Sequence, residues 1–526
     1  MGLVGESGGL PTVNGRFWTR ILIGAGTALF VLAFVVPGVA MLVDVAGSSA
    51  GPAGGWGYSA RQGGLLLKSV LMSAAGATVA MVLSIPAIYV IGTGRAGRWP
   101  AVATALLIGP LLFPPTVLAF GWDKLTGGST WMAQQLRIGG VEALTRGSFR
   151  AAWVWGSWLW PVSAMVVSAG VRQWGRRAYE AAILDASPLQ AVVRAVLRVL
   201  RPYVLAAWVL LFCICLTDYQ IPHACSEMVY ATELLSWLTE SGRSIDGVWP
   251  ALPMIAIVVP LLILLSGRIG LLRDAIEFHE GGTARRGGGW GWVALAGLVA
   301  VTAVCPMVAL AMGTELTAAM GQAYRVYWSD LWQTIGVAAV GAVGCVILGE
   351  ALMSAGRWSR PAVWGVVLGG LLPGALVGQA LVAGYVRVPA VYDQWWMMSL
   401  TYVGRFGWIG LLASWLASRS VPRMLVEQAA VDGAGQDAQY WWVRWPIVWR
   451  VIVAGGAAAL AMSVSEISAI SMTRTPGVGT ISLTLIEKFH RFEDEMLVSL
   501  SLWLALIPLP AIGLVAWAMK ERRRAA

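Results

Sequence analysis

The chain has 526 residues, 58% of them hydrophobic and only 12% charged, with a net charge of +10 and a mean hydropathy of +0.70. That charged fraction is about half the ~25% of soluble domains, which excludes a soluble surface and predicts an all-α polytopic membrane protein. The basic residues are spread over loops rather than gathered in one patch, so they fit membrane topology and give nucleic acid no footprint.

In chain order, Met1 to Arg20 is glycine-rich and polar, with Arg16 and Arg20 beside the first apolar run. That run, Ile21 to Val45, exceeds the 7–15 residues of a signal-peptide core and reads as a retained first helix. Further spans are predicted at 64–92, 99–121, 151–171, 203–218 and 248–270. A second set falls at 290–313, 331–355, 362–385, 395–417, 447–471 and 496–518. Most reach the ~20 residues that cross a bilayer; the one before Asp218 is short. The expectation is about twelve membrane helices in two six-helix halves, 1–272 (core 64–270) and 290–526 (core 331–518), joined by a polar linker, 273–289, that ends in three glycines.

Lysine and arginine set the orientation. With the N-terminus in the cytoplasm, about 24 of the 37 Lys and Arg fall on that side, among them Arg95, Arg98, Arg176, Arg177, Arg285, Arg286, Arg357 and Arg360. Both termini are then cytoplasmic. The 29 tryptophans gather near span ends, as interfacial anchors do. The halves repeat weakly: Leu67-Lys68-Ser69-Val70 corresponds to Trp332-Gln333-Thr334-Ile335, and Gly109-Pro110-Leu111-Leu112 to Gly369-Gly370-Leu371-Leu372.

Catalytic and metal chemistry find little footing. The five cysteines are odd in number, lie mostly in apolar runs and include no C-x-x-C pair, so they read as small buried residues. His223, His279 and His490 are far apart in sequence; His490 sits with Glu487, Glu493, Asp494 and Glu495 in what reads as a solvated charge cluster, and no metal site is expected. Gly92-Thr93-Gly94-Arg95-Ala96-Gly97 fits G-x-G-x-x-G but lies between two membrane spans, where it reads as a turn. Lys68-Ser69 lacks the preceding glycine of a P-loop, and there is no Walker A. If ATP drives this protein, another polypeptide hydrolyses it.

Two polar intervals interrupt the apolar runs at corresponding places. Val426 to Arg450 (VEQAAVDGAGQDAQYWWVRWPIVWR) opens with a helical turn at Glu427, Gln428, Ala429 and Ala430. Gly433 and Gly435 break it, and a second amphipathic piece, Gln436 to Trp445, is expected to stop at Pro446. Arg177 to Pro202 (RAYEAAILDASPLQAVVRAVLRVLRP) has no glycine after Asp185, but Ser187-Pro188 can start the second helix, Ser being a good N-cap and Pro favoured at the first helical position.

These intervals resemble the glutamate–alanine–alanine loop of type I, binding-protein-dependent ATP-binding-cassette importer permeases. Glu427, Ala429, Asp432, Gly433, Ala434 and Pro446 fall on the pattern, with Gln428 departing from its first alanine. In the first copy Glu180, Ala181, Ala182 and Asp185 match, Ser187 stands in for the turn, and Arg198 replaces the distal proline. The resemblance implies that each loop docks in a groove of an ATP-binding subunit, two copies of which carry ATP and Mg2+. It also implies an extracytoplasmic binding protein, a location in the cell inner membrane among lipid, no cofactor on this chain and no catalysis by it.

The remaining polar candidates lie at corresponding span ends. Asp218 and Tyr219 follow the fifth span, and Ser465 and Glu466 sit in its counterpart; both sets read as lining of a translocation path. The alternative for Asp218 is helix-end polarity, and for Glu466 an interhelical hydrogen bond. Asp218-Tyr219-Gln220-Ile221-Pro222 with Val229-Tyr230-Ala231-Thr232-Glu233, and Thr475-Pro476-Gly477-Val478-Gly479-Thr480 with Glu495-Met496, resemble fused permeases of the ferric-iron type. Relatives of that kind carry ferric iron, thiamine, polyamines or sulfate; iron leads by resemblance alone. The rivals are a secondary transporter, which would place coupling charges deep in its helices, and a membrane enzyme, which would need clustered acid, base or metal groups.

Overall fold

The computed structural model describes residues 17–49, 51–52, 55, 57–92, 100–127, 130–138, 146–187, 190–266, 289–312, 316–355, 360–491 and 493–521. Most of the linker, the turn beyond Gly92, Pro188 and His279 lie outside these residues. Every regular element among the described residues is helical. Nine helices there are long and apolar enough to cross a membrane, and up to eleven spans result if two sharply bent helix pairs count as one each. The protein is therefore a helical, multi-pass membrane protein.

The elements repeat in two series. The first runs α1 (Phe17–Ala46), α2 (Ala60–Gly92), the bent pair α3 (Pro100–Leu112) and α4 (Pro115–Thr126), α5 (Gly147–Gly170), α6 (Arg176–Ala182), α7 (Arg194–Thr217), α8 (Gln220–Ala224), α9 (Tyr230–Ser241) and α10 (Ser244–Ser266). The second runs α11 (Gly289–Ala311), α12 (Leu316–Ser354), the bent pair α13 (Arg360–Leu371) and α14 (Gly374–Tyr385), α15 (Trp395–Ser420), α16 (Arg423–Val431), α17 (Gln436–Val464), α18 (Ser468–Met472), α19 (Ile481–His490) and α20 (Glu495–Trp517). Equivalent hydrogen bonds mark the repeat. Ser69 Oγ accepts from the Tyr230 N–H at 2.8 Å, and Thr334 Oγ1 accepts from the Ile481 N–H at 2.9 Å.

Three departures from the sequence reading have physical causes. The spans expected at 99–121 and 362–385 are not straight: the bent pairs turn by 87° and 118°. Pro114 (φ −58°, ψ 122°) and Pro373 (φ −53°, ψ 130°) leave helical geometry at the breaks, as backbone beside or at proline does. The carbonyls freed there find side-chain donors: Trp158 Nε1 to the Leu111 oxygen at 2.9 Å, and Arg405 Nη1 to the Gly370 oxygen at 3.0 Å and to that of Leu372. The short span before Asp218 is in fact the 24-residue α7, whose Arg194, Arg198 and Arg201 had masked its beginning. The helix expected at 395–417 exists as the 26-residue α15, but Arg405 with its tryptophans, tyrosine and glycines keeps it out of the apolar set.

Small residues let the central helices touch backbone to backbone. A Cβ on Gly410 of α15 would strike the Cys345 carbonyl of α12, and one on Gly349 would strike the Gly410 carbonyl. In the first series Gly76 lies 3.1 Å from the Trp155 side chain by the same measure, and Gly156 abuts Val79.

The leading helices are exchanged between the series. α1 packs on the second: Gly26 against Ala351, the Tyr385 hydroxyl donating to the Leu32 carbonyl at 2.7 Å. α11 packs on the first: Leu295 is buried with Ala87, Val90, Leu107, Trp160 and Ala164, and Trp160 Nε1 donates to Thr302 Oγ1 at 3.3 Å.

Candidate functional site

The second polar loop is built as its composition demands. α16 ends in a paired closure: the Ala434 N–H reaches the Ala429 carbonyl at 2.9 Å and the Gly433 N–H the Ala430 carbonyl at 3.1 Å. Gly433 takes φ +84°, the left-handed conformation this closure needs. Glu427 and Asp432 are exposed, and Ala429 and Ala434 half-buried. The first loop turns differently. Asp185 N–H bonds the Ala182 carbonyl at 3.3 Å, and Ser187 Oγ accepts from the Gln190 N–H at 3.4 Å, so the serine begins the next helix as expected of an N-cap. Glu180, Ala181 and Asp185 are exposed, with Ala182 half-buried like its counterpart Ala429.

Pro446 does not stop the second piece. The helix runs unbroken from Gln436 to Val464, because the stretch just before the proline, Gln439–Arg444, is wound as a π-helix. That winding moves bonds to residue i−5, as for the Trp445 N–H on the Tyr440 carbonyl, and absorbs the donor proline lacks. The polar loop is thus the solvent-facing start of a membrane helix.

The difference between the loops predicts unequal sensitivity. No atom lies within 4 Å of a Cβ at Gly433, so Gly433→Val meets only the left-handed backbone penalty, about 1–2 kcal/mol. Ala186 is not left-handed, so Ala186→Val should be nearly silent. Protection of the 423–439 amides in hydrogen exchange should fall in the first variant and stay unchanged in the second.

Buried charges fasten the second loop. Asp437, 3% exposed, accepts from the Trp18 and Thr19 N–H groups at 3.1 Å and from Thr19 Oγ1 at 2.6 Å, capping the start of α1. Glu350 of α12, also 3% exposed, accepts from the Tyr440 hydroxyl at 3.1 Å and Arg444 Nη2 at 3.3 Å. A lone carboxylate in an apolar run was the signal for Glu350; nothing local announces the partner of Asp437.

At the other end of the long helices the four predicted pathway residues gather around two breaks. α7 alone rises about 36 Å over its 24 residues. Asp218 accepts from Trp155 Nε1 at 2.8 Å and from the N–H groups of Gln220 and Ile221 at 3.1 and 3.2 Å, so it starts α8. Glu466, 3% exposed, accepts from Ser468 Oγ at 2.7 Å and the Ala469 N–H at 2.9 Å, and starts α18 in the same way. Its second oxygen faces Arg405 Nε at 3.6 Å. Glu466 stands within electrostatic range of both Asp218 and the buried Tyr219, so the two series meet here. Ser465 is buried with its hydroxyl turned back onto the Met462 carbonyl at 2.9 Å, an end-of-helix bond.

Arg405 is the residue the sequence reading passed over. A single arginine in the middle of an apolar run is the signal that would have found it. Around His490 two carboxylates of the expected charge cluster stand in ion pairs, Glu487 with Arg491 and Glu493 with Lys488, each at 2.7 Å. Among the described residues no three His, Cys, Asp or Glu side chains converge as a metal cage. Comparison with protein-family models, curated proteins and solved structures found no match.

Proposed function

We propose that the chain is the fused membrane permease of an ATP-driven, binding-protein-dependent importer, with α15 as a twelfth span and both polar loops in the cytoplasm of an inner-membrane protein. The observation that supports this best is a pair of apolar side chains held out to solvent at equivalent positions. Leu184 follows Glu180 by four residues and is 81% exposed; Val431 follows Glu427 by four and is 87% exposed. A membrane protein has no reason of its own to display the same apolar tip twice on its polar side, whereas a partner bound at each loop does. Two ATP-binding subunits would take these tips into grooves, and an extracytoplasmic binding protein would deliver cargo at the Asp218 and Glu466 end. Ferric iron is the leading cargo by the resemblance alone.

The test is Leu184→Asp with Val431→Asp. Both sites are exposed, so folding should change by no more than about 0.5 kcal/mol. Co-purification of the ATP-binding subunit and ATP-dependent uptake should both fall to background, with the permease still inserted. Undiminished association would remove the docking assignment. One observation favours a secondary transporter instead, the buried Arg405–Glu466 pair. Uptake driven by an ion gradient with no nucleotide present would decide for it.

A further inference from the structure

Two of the three histidines in the chain meet. His223, on α8 of the first series, and His490, the last residue of α19 of the second, bring their Nε2 atoms to 3.0 Å across 267 residues of sequence. His223 is packed among rings: Tyr219 at 5.7 Å and Phe489 at 5.8 Å between centroids, with Phe120 tilted on Phe489 at 5.3 Å. His490 is exposed, so solvent reaches the pair from one side.

The local chemistry leaves nitrogen as the donor. Each ring can turn an Nε2 lone pair toward an ion when its own proton rests on Nδ1, and at 3.0 Å the two Nε2 atoms are close enough to share one. Two of the carboxylates beside His490 are held by cations, Glu487 by Arg491 and Glu493 by Lys488. An ion about 2.0–2.1 Å from both nitrogens, as first-row metals sit from imidazole, would subtend roughly 91–97° at their separation of 3.0 Å. That is the angle between adjacent positions of a square-planar or octahedral ion.

We propose that His223 and His490 form a site for a borderline first-row divalent metal, Cu2+ ahead of Ni2+ and Zn2+, bridging the two series at the end remote from the polar loops. Imidazole suits these ions and the Irving–Williams order ranks them, while a hard ion such as ferric iron prefers oxygen. No third protein ligand completes the set among the described residues, so water fills the remaining positions and the ion exchanges readily. The site itself does not depend on the transport reading. Its consequence does: an ion bound by both series clasps them and should inhibit any uptake that needs them to part.

The test uses Cu2+ as the probe ion on the purified full chain in nanodiscs. Wild type should bind one equivalent with an axial electron-paramagnetic-resonance signal split by two nitrogens. His490→Gln and His223→Gln should each lose that signal and bind at least ten-fold more weakly. His490 is exposed, so its variant keeps the fold, checked by an unchanged size-exclusion profile. A two-nitrogen signal that persists in His490→Gln, or wild-type binding no tighter than that of the double variant, overturns the site. Copper that binds as described yet leaves reconstituted uptake untouched overturns the clasp alone.

Discussion

Arg405→Met is expected to destabilise the purified chain by about 3–5 kcal/mol, the cost of stranding one partner of a buried ion pair. Glu466 is 3% exposed on its side chain and Arg405 14%, so water cannot replace the lost guanidinium. The Ser468 hydroxyl and the Ala469 N–H would still hold one Glu466 oxygen, but the second would face no cation. The same substitution also removes the donor to the Gly370 and Leu372 carbonyls at the bend between α13 and α14. Adding Glu466→Gln should recover most of the loss, since the amide keeps an acceptor for both donors and carries no charge. Thermal unfolding in detergent measures both. A single variant as stable as wild type would mean that the pair contributes nothing to the folded state.

Gly410→Leu should be the more damaging change. The obstacle at Gly410 is the Cys345 backbone rather than a side chain that could turn away. No leucine rotamer avoids it, so α12 and α15 must separate. Separation opens a core that holds Cys345, Leu348, Val403 and Phe406. Overpacking a tolerant core costs about 1–3 kcal/mol; a backbone-to-backbone crossing should exceed that and abolish the monodisperse species in size exclusion. Gly336→Leu is the control on the partner helix α12, because no atom lies within 4 Å of its Cβ position. Equal recovery of the two variants would show that the crossing has room to spare.

What the sequence disclosed was local. Span lengths follow from hydropathy, and the Gly433 turn follows from a residue that alone takes φ +84° without strain. Ser187 was legible for the same reason, as a hydroxyl at a helix start. Hidden features were of two kinds. The polar starts of α7 and α17 disguised helices that simply project beyond the apolar zone, and Pro446 read as a stop because a π-helical turn ahead of it has no composition of its own. The pairings of Asp437 with Thr19, His223 with His490 and Arg405 with Glu466 join segments 60 to more than 400 residues apart, and no periodicity encodes them.

The exchange of leading helices imposes an order on biosynthesis. α1 leaves the ribosome first, yet Ala351 and Tyr385, against which it rests, are translated hundreds of residues later. The N–H groups that open it wait longer still, until Asp437 emerges 418 residues after Thr19. Through most of translation α1 is therefore a solitary helix in lipid, held near its destination only by the chain that follows. Carrying both series on one polypeptide turns that search from a collision between separate molecules into a tethered encounter, with an effective concentration set by the linker. A gene split within 267–288 would surrender this advantage, and the newborn first half would have to find its mate by diffusion in the plane of the membrane.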